Sequence, residues 1–194
     1  RFAEMFEREV AVFLVPAGTV ANALALAHVT PPWGAVLCHK DAHAATDECG
    51  APEFFGGGIK LVGLSGAGGR IAAGTLEAAL DNTAQWGPPH HVTPAAVSIS
   101  QATEAGTIYR PEAIRALADI AHAHGAVLHM DGARFGNALA RMNVSADDAT
   151  WKSGVDVLSF GATKGGAMGA EAVIFFDPKR AEGMSARRKR GGAH

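Results

Sequence analysis

Apolar residues gather along this chain in short, β-prone runs at 12–15, 35–38, 60–64, 96–100, 126–130, 155–160 and 172–176. Most are continuous rather than alternating, as expected of strands covered on both faces in a parallel sheet. Between them the spacing of apolar positions predicts helices over 19–28, 75–81, 111–124 and around 135–142. The third is the best signalled. Pro111 suits a first helical position, Ile114, Leu117, Ala118 and Ala121 form one stripe, and Gly125 supplies the stop. Residues 1–10 read as a further, amphipathic helix. Residues 82–94, with Pro88, Pro89 and two histidines, read as a flexible surface loop. Strand and helix alternate almost throughout, which predicts an α/β fold: a mostly parallel, doubly wound sheet with helices on both faces. Such sheets bind ligands at the carboxyl ends of their strands.

At 194 residues the chain has the length of about one domain. Its hydrophobic fraction of 48% is ordinary for a globular protein; much of it is alanine, which favours close helix-to-sheet contact. A net charge of −2 gives no field to attract nucleic acid or an anionic membrane. No apolar run reaches the ~20 residues of a membrane span. The basic run Arg187-Arg188-Lys189-Arg190 reads as a solvated helix end or a subunit contact. Cys38 and Cys49 form no disulfide framework and suit a reducing, cytoplasmic setting. The chain opens at Arg1 without a signal-peptide pattern or initiator methionine and stops at His194 beyond a basic helix, so it reads as a piece of a longer protein.

The chemistry sits at two predicted strand ends. One carries Ser159-Phe160-Gly161-Ala162-Thr163-Lys164, a lysine that opens into glycine with its amine expected to face a cleft instead of bulk water. The other carries Asp131-Gly132-Ala133-Arg134. An amine, a carboxylate and a guanidinium so placed are what a pyridoxal-phosphate (PLP) site requires: a Schiff-base lysine, a partner for the ring nitrogen and a cation for the substrate carboxylate. Pro16-Ala17-Gly18-Thr19 leads from a strand into a helix, where free amides and the Thr19 hydroxyl cradle a phosphate or Thr19 serves as an ordinary cap. Gly66-Ala67-Gly68-Gly69 lacks the third glycine of a dinucleotide fingerprint, since position 71 is Ile71, and reads as a mobile turn. Cys38, His39, His43 and Cys49 match no standard zinc spacing, so no metal is expected; the cysteines read as a strand end and a helix position. His43 reads as a flat ring at a strand end, able to stack on a planar cofactor. His122 and His124 read as surface residues.

With these residues in place, the chain resembles the low-specificity L-threonine aldolase family, enzymes of the aspartate-aminotransferase (type I) PLP fold. The resemblance runs over essentially the whole chain. Its most specific carriers are His129-Met130-Asp131-Gly132-Ala133-Arg134-Phe135 and the segment ending in Lys164. Phe13-Leu14-Val15-Pro16-Ala17-Gly18-Thr19-Val20-Ala21-Asn22 and Asp47-Glu48-Cys49-Gly50-Ala51-Pro52-Glu53 support it. It implies that residues 1–194 form the large PLP-binding domain, without an N-terminal segment and a small C-terminal domain that supply a serine and a second carboxylate-binding arginine. It further implies that Lys164 carries PLP, Asp131 pairs with the pyridine nitrogen, His43 stacks on the ring, Gly18 and Thr19 hold the phosphate, and Arg134 binds the substrate carboxylate. Glu104 stands where many relatives have a histidine that contacts the substrate hydroxyl, so Glu104 or a water held near His43 is the candidate base. The implied reaction cleaves L-threonine, L-allo-threonine and related 3-hydroxy amino acids to glycine and an aldehyde, in a homodimer or homotetramer. A phenylserine aldolase, a β-eliminating or aminotransferase-like enzyme, and a non-catalytic module of the same fold are the alternatives.

Overall fold

The computed structural model describes residues 1–86 and 89–193. In chain order its elements are α1 (Phe2–Met5), β1 (Ala11–Val15), α2 (Gly18–Val29), β2 (Gly34–His39), α3 (His43–Thr46), α4 (Ala51–Phe55), β3 (Lys60–Leu64), α5 (Ala73–Trp86), β4 (Thr93–Ser100), α6 (Pro111–Ala123), β5 (Val127–Gly132), α7 (Phe135–Met142), β6 (Val157–Gly161), β7 (Glu171–Phe175) and α8 (Met184–Arg190). The strands form one sheet in the order β1-β7-β6-β5-β4-β2-β3. Pairing is parallel from β3 through β6, while β7 runs antiparallel to both β6 and β1. Six strands therefore point one way. Their carboxyl ends share one edge of the sheet with the amino end of β7, where Glu171 pairs across to Val15 and Gly161.

The sheet is buried on both faces. On one side α2 lies against Val157, Val173 and Phe175, with Met184 of α8 beside it. Residues 21–27 of α2 are all buried, so in place of one apolar stripe the helix is apolar around its whole circumference except at Asn22. On the other side Leu76 and Leu80 of α5, Ile114 and Leu117 of α6, and Phe135 of α7 pack against Leu128 and Met130. Each fully buried Leu or Ile there contributes about 1.5–3 kcal/mol. Gly132 permits a close strand contact: a Cβ at that position would meet Leu158 Cδ1 at 2.7 Å and the Ser159 carbonyl at 3.0 Å.

Several expectations change in detail. The amino-terminal helix is only Phe2–Met5. Glu7 turns to positive φ (49°), and Phe2 and Phe6 then reach back into the core. Helix α5 runs on through Trp86 and β4 begins at Thr93, so most of the expected loop at 82–94 belongs to regular elements. Nothing in Asn82-Thr83-Ala84-Gln85-Trp86 stops a helix. Residues 87 and 88 of that stretch lie outside the described residues. Strand β5 extends to Gly132, placing Asp131 within the strand instead of after it.

Asp147 follows α7 and pairs with Lys152 at the edge of this layer. Its carboxyl is held down at about 2, first by the Lys152 hydrogen bond and then by Ser145. A folded value below the ordinary ~3.9 means that the pair's contribution is complete above that pH and drains away as pH falls toward about 2. Asp147→Asn should therefore melt at a lower temperature than wild type at about pH 6, with the gap closing in acid. Thermal melts across that range check this; a gap that stays constant contradicts it.

Candidate active site

The shared sheet edge forms the wall of a cleft of about 270 Å³. Lys164, Asp131, His43, Gly18 and Thr19 all line it, and Asn22, Glu48, Thr163 and Glu171 join them. Lys164 stands in a short 3-10 turn, Thr163–Gly165, just past β6. Gly161 lets that exit pass close to the Asp131–Arg134 turn, since a Cβ there would lie 2.6 Å from Ala133 Cα and 2.9 Å from Glu171 Oε2. The lysine is exposed, as are its neighbours up to Met168 at 99%. The expectation that its amine is withdrawn from bulk water is thus corrected: the turn forms the open rim of the cleft.

Asp131 lies deeper, 6% exposed. Its Oδ1 accepts from the Ala133 amide at 3.0 Å and its Oδ2 from Asn22 Nδ2 at 2.9 Å. The same Asn22 amide nitrogen donates to Glu48 Oε1 at 2.8 Å. Glu48 Oε1 also lies 3.0 Å from His43 Nδ1, a hydrogen bond in which either partner can hold the proton. One chain of contacts, Asp131–Asn22–Glu48–His43, thus joins β5, α2, the turn after α3 and the start of α3 itself. Burial pushes the Glu48 carboxyl up, the bonds from Asn22 and His43 pull it partway back, and the nearby Asp131 charge raises it again. The acceptor oxygens Asn22 Oδ1 and Glu48 Oε2 are buried and have no protein partner.

Beneath Asp131, on the same face of β5, His129 is fully buried. Its Nδ1 meets Ser98 Oγ and its Nε2 meets Ser159 Oγ, each at 2.9 Å. Burial pushes this ring down to about 4, with the Asp131 charge opposing, so at neutral pH a neutral imidazole ties β4, β5 and β6 together.

Arg134 and Glu104 stand apart from the cleft lining and face one another. Arg134 Nη1 is 3.3 and 3.4 Å from the two Glu104 oxygens, with both side chains partly exposed. Asn22, Glu48, Glu171 and His129 were not singled out by sequence reasoning. Asn22 carried a usable signal, as the lone polar residue of an otherwise apolar helical run. His129 lacked one, since its partners Ser98 and Ser159 lie on distant strands, and the Glu48 bond to Asn22 likewise joins separate segments. Cys38 is buried in β2, whereas Cys49 is exposed in a turn at φ 52°, not in a helix. His39 Nε2 bonds the Gly66 carbonyl at 3.0 Å. The glycine-rich turn is pinned, because the Thr103 and Thr107 hydroxyls both donate to the Gly68 carbonyl. Among the described residues no group of three or more His, Cys, Asp or Glu is arranged to hold a metal ion, and no helix is long and apolar enough to cross a membrane. A larger groove of about 590 Å³ among His28, Phe55, Glu182 and Arg187 contains none of the sequence-predicted site residues.

Known proteins share this arrangement of elements. A low-specificity L-threonine aldolase from a Pseudomonas species is 42% identical over 192 residues, covering 98% of this chain and 54% of the relative. One from Pseudomonas aeruginosa is 41% identical over 191 residues, with the same coverage. Among solved structures, a threonine aldolase from Leishmania major superposes with a TM-score of 0.90 at 30% identity, over 98% of this chain and 55% of that one. The chain spans about half the length of the curated relatives it matches. The family model described as beta-eliminating lyase matches residues 1–193, and the chain belongs to that family.

Proposed function

We propose that this chain is the PLP-binding part of an aldolase that cleaves L-threonine, L-allo-threonine and related 3-hydroxy amino acids to glycine and an aldehyde. The observation that carries this reading is the convergence of Lys164, Asp131, His43, Gly18 and Thr19 on one cleft. The residues present fit PLP. A buried carboxylate stands opposite an amine, and the first-turn amides of α2 have no intrahelical acceptors, so they are free to meet a phosphate. Around Gly18 the only atom a Cβ would approach is Glu171 Oε2, at 4.0 Å. The unpartnered oxygens of Asn22 and Glu48 leave acceptors at the cleft floor.

When bound, PLP would supply an electron-withdrawing ring that stabilises negative charge developing on the substrate's α-carbon. Lys164 offers the amine to which the cofactor attaches. Thr19 and Gly18 hold its phosphate end. Asp131, fixed by Asn22 and the Ala133 amide, accepts the ring N–H through a charge-assisted bond. His43, aligned by Glu48, presents its ring to the cofactor face. Arg134 receives the substrate carboxylate, and Glu104 accepts the β-hydroxyl proton.

The Arg134–Glu104 pair gives this proposal an internal logic. A guanidinium already engaged by Glu104 must exchange that partner for the substrate carboxylate, which releases the Glu104 carboxylate beside the arriving hydroxyl. Exposed Leu14, Trp33 and Phe54 support assembly into a dimer or tetramer. The free thiols Cys38 and Cys49 support residence in a reducing cytoplasm.

Incubating the PLP-loaded protein, in its full natural length, with L-threonine, L-allo-threonine and phenylserine should yield glycine in step with aldehyde. A keto acid and ammonia instead would assign it to β-elimination. Glu104→Gln should lower KM a few-fold, by relieving competition at Arg134, while cutting kcat by about 10²-fold or more. Steady-state kinetics on wild type and this variant decide this; an unchanged kcat removes Glu104 as the base.

A further inference from the structure

Three arginines that the proposed reaction does not use meet at a second groove. Arg70, Arg110 and Arg141 line a depression of about 450 Å³ together with the loop at 106–108. They arrive from distant parts of the chain. Arg70 follows the glycine-rich turn, Arg110 caps α6, and Arg141 sits in the last turn of α7. Among the described residues no carboxylate lines the groove. Among the described residues none of the three arginines makes an ion pair.

Their placement is fixed from beneath. Gln101 and Tyr109 are buried and bonded to one another: the Tyr109 amide donates to Gln101 Oε1 at 3.0 Å, and Gln101 Nε2 donates to the Tyr109 carbonyl at 2.7 Å. The Ile71 amide donates to the Tyr109 hydroxyl at 2.7 Å, and Gln101 Nε2 also reaches Met142 Sδ at 3.8 Å. Each arginine is the chain neighbour of a residue in this knot: Arg70 of Ile71, Arg110 of Tyr109, Arg141 of Met142. Arg70 is held further by its bond to the Ile108 carbonyl at 3.4 Å. The backbone that launches all three cations is therefore ordered before any ligand arrives.

Electrostatics favours an anion here. The carboxyl end of α7 suits Arg141, but Arg110 stands at the positive end of α6, where a cation is disfavoured. Glu112 in the first turn of α6 offsets part of this without lining the groove. Planar guanidinium forks match phosphoryl oxygens bidentately. We propose that this groove binds a small, multiply charged phosphoryl anion, a phosphate ester or a pyrophosphate, at a site separate from the catalytic cleft. The occupant braces the loop that presents Glu104 to Arg134, since Thr103 and Thr107 already anchor that loop to Gly68.

The test is calorimetric titration of inorganic pyrophosphate at fixed ionic strength, with and without PLP. Wild type is compared with Arg110→Ala/Arg141→Ala and with Arg115→Ala, an exposed α6 control off the groove. Wild type and the control should show one saturable event in both cofactor states, weakened at least about tenfold in the double variant. Three results overturn the proposal: no saturable event in wild type, equal affinity in the double variant, or an event confined to PLP-free protein, which would belong to the α2 phosphate cradle. Should the double alanine variant misfold, Arg110→Lys/Arg141→Lys carries the test. It keeps the charge without the fork and should bind at least about threefold more weakly; wild-type affinity there also overturns the proposal.

Discussion

The Asn22 amide, bridging two buried carboxylates, is the interaction on which the site's geometry rests. Its nitrogen donates to both Asp131 and Glu48, so one side chain from α2 fixes an acid on β5 and another after α3. Hydrogen bonds to charged groups are worth about 1.5–3 kcal/mol each, and an unbridged pair of buried carboxylates would repel. Burial raises the Glu48 carboxyl, while Asp131 lines the cleft on the other side of the bridging amide. The same bridge reaches His43 through Glu48. Acid and imidazole are therefore set by one contact network, not by independent strand ends.

The opposite wall of the cleft is built on different physics. Lys164 emerges from an exposed turn held by the close approach of Gly161 to Ala133. Backbone bonds close that turn, with the Gly165 and Ala167 amides both donating to the Ala162 carbonyl. The acid floor is tied by side-chain bonds from several segments, whereas the lysine rim lies open to solvent. Arg134 and Glu104 extend the pattern outward: each neutralises the other at a partly exposed position, so neither charge is left unpaired.

Much of this was legible in the residues alone. The strands announced themselves as continuous apolar runs because both faces of the sheet are buried, and Asp131 and Lys164 were locatable because parallel strands place chemistry at one edge. The length of α5 was not, because a polar helix end and a polar loop have similar composition. The extent of α1 escaped for a related reason: its Phe2 and Phe6 satisfy a helical stripe, but Glu7 breaks the backbone first. Asn22 could have been flagged as the one polar side chain in a buried helix. The Asn22–Glu48 bridge, the serine contacts of His129 and the Arg134–Glu104 pairing join segments far apart in the chain, and no local spacing encodes them.

The central claim is that Lys164 and Asp131 flank one bound PLP. It is tested most directly by loading the protein with PLP, reducing it with borohydride and mapping the modified lysine by mass spectrometry. The account predicts a single pyridoxyl adduct on Lys164, and none at that site in Lys164→Ala. An adduct centred on another lysine, or no stable adduct at all, would contradict it.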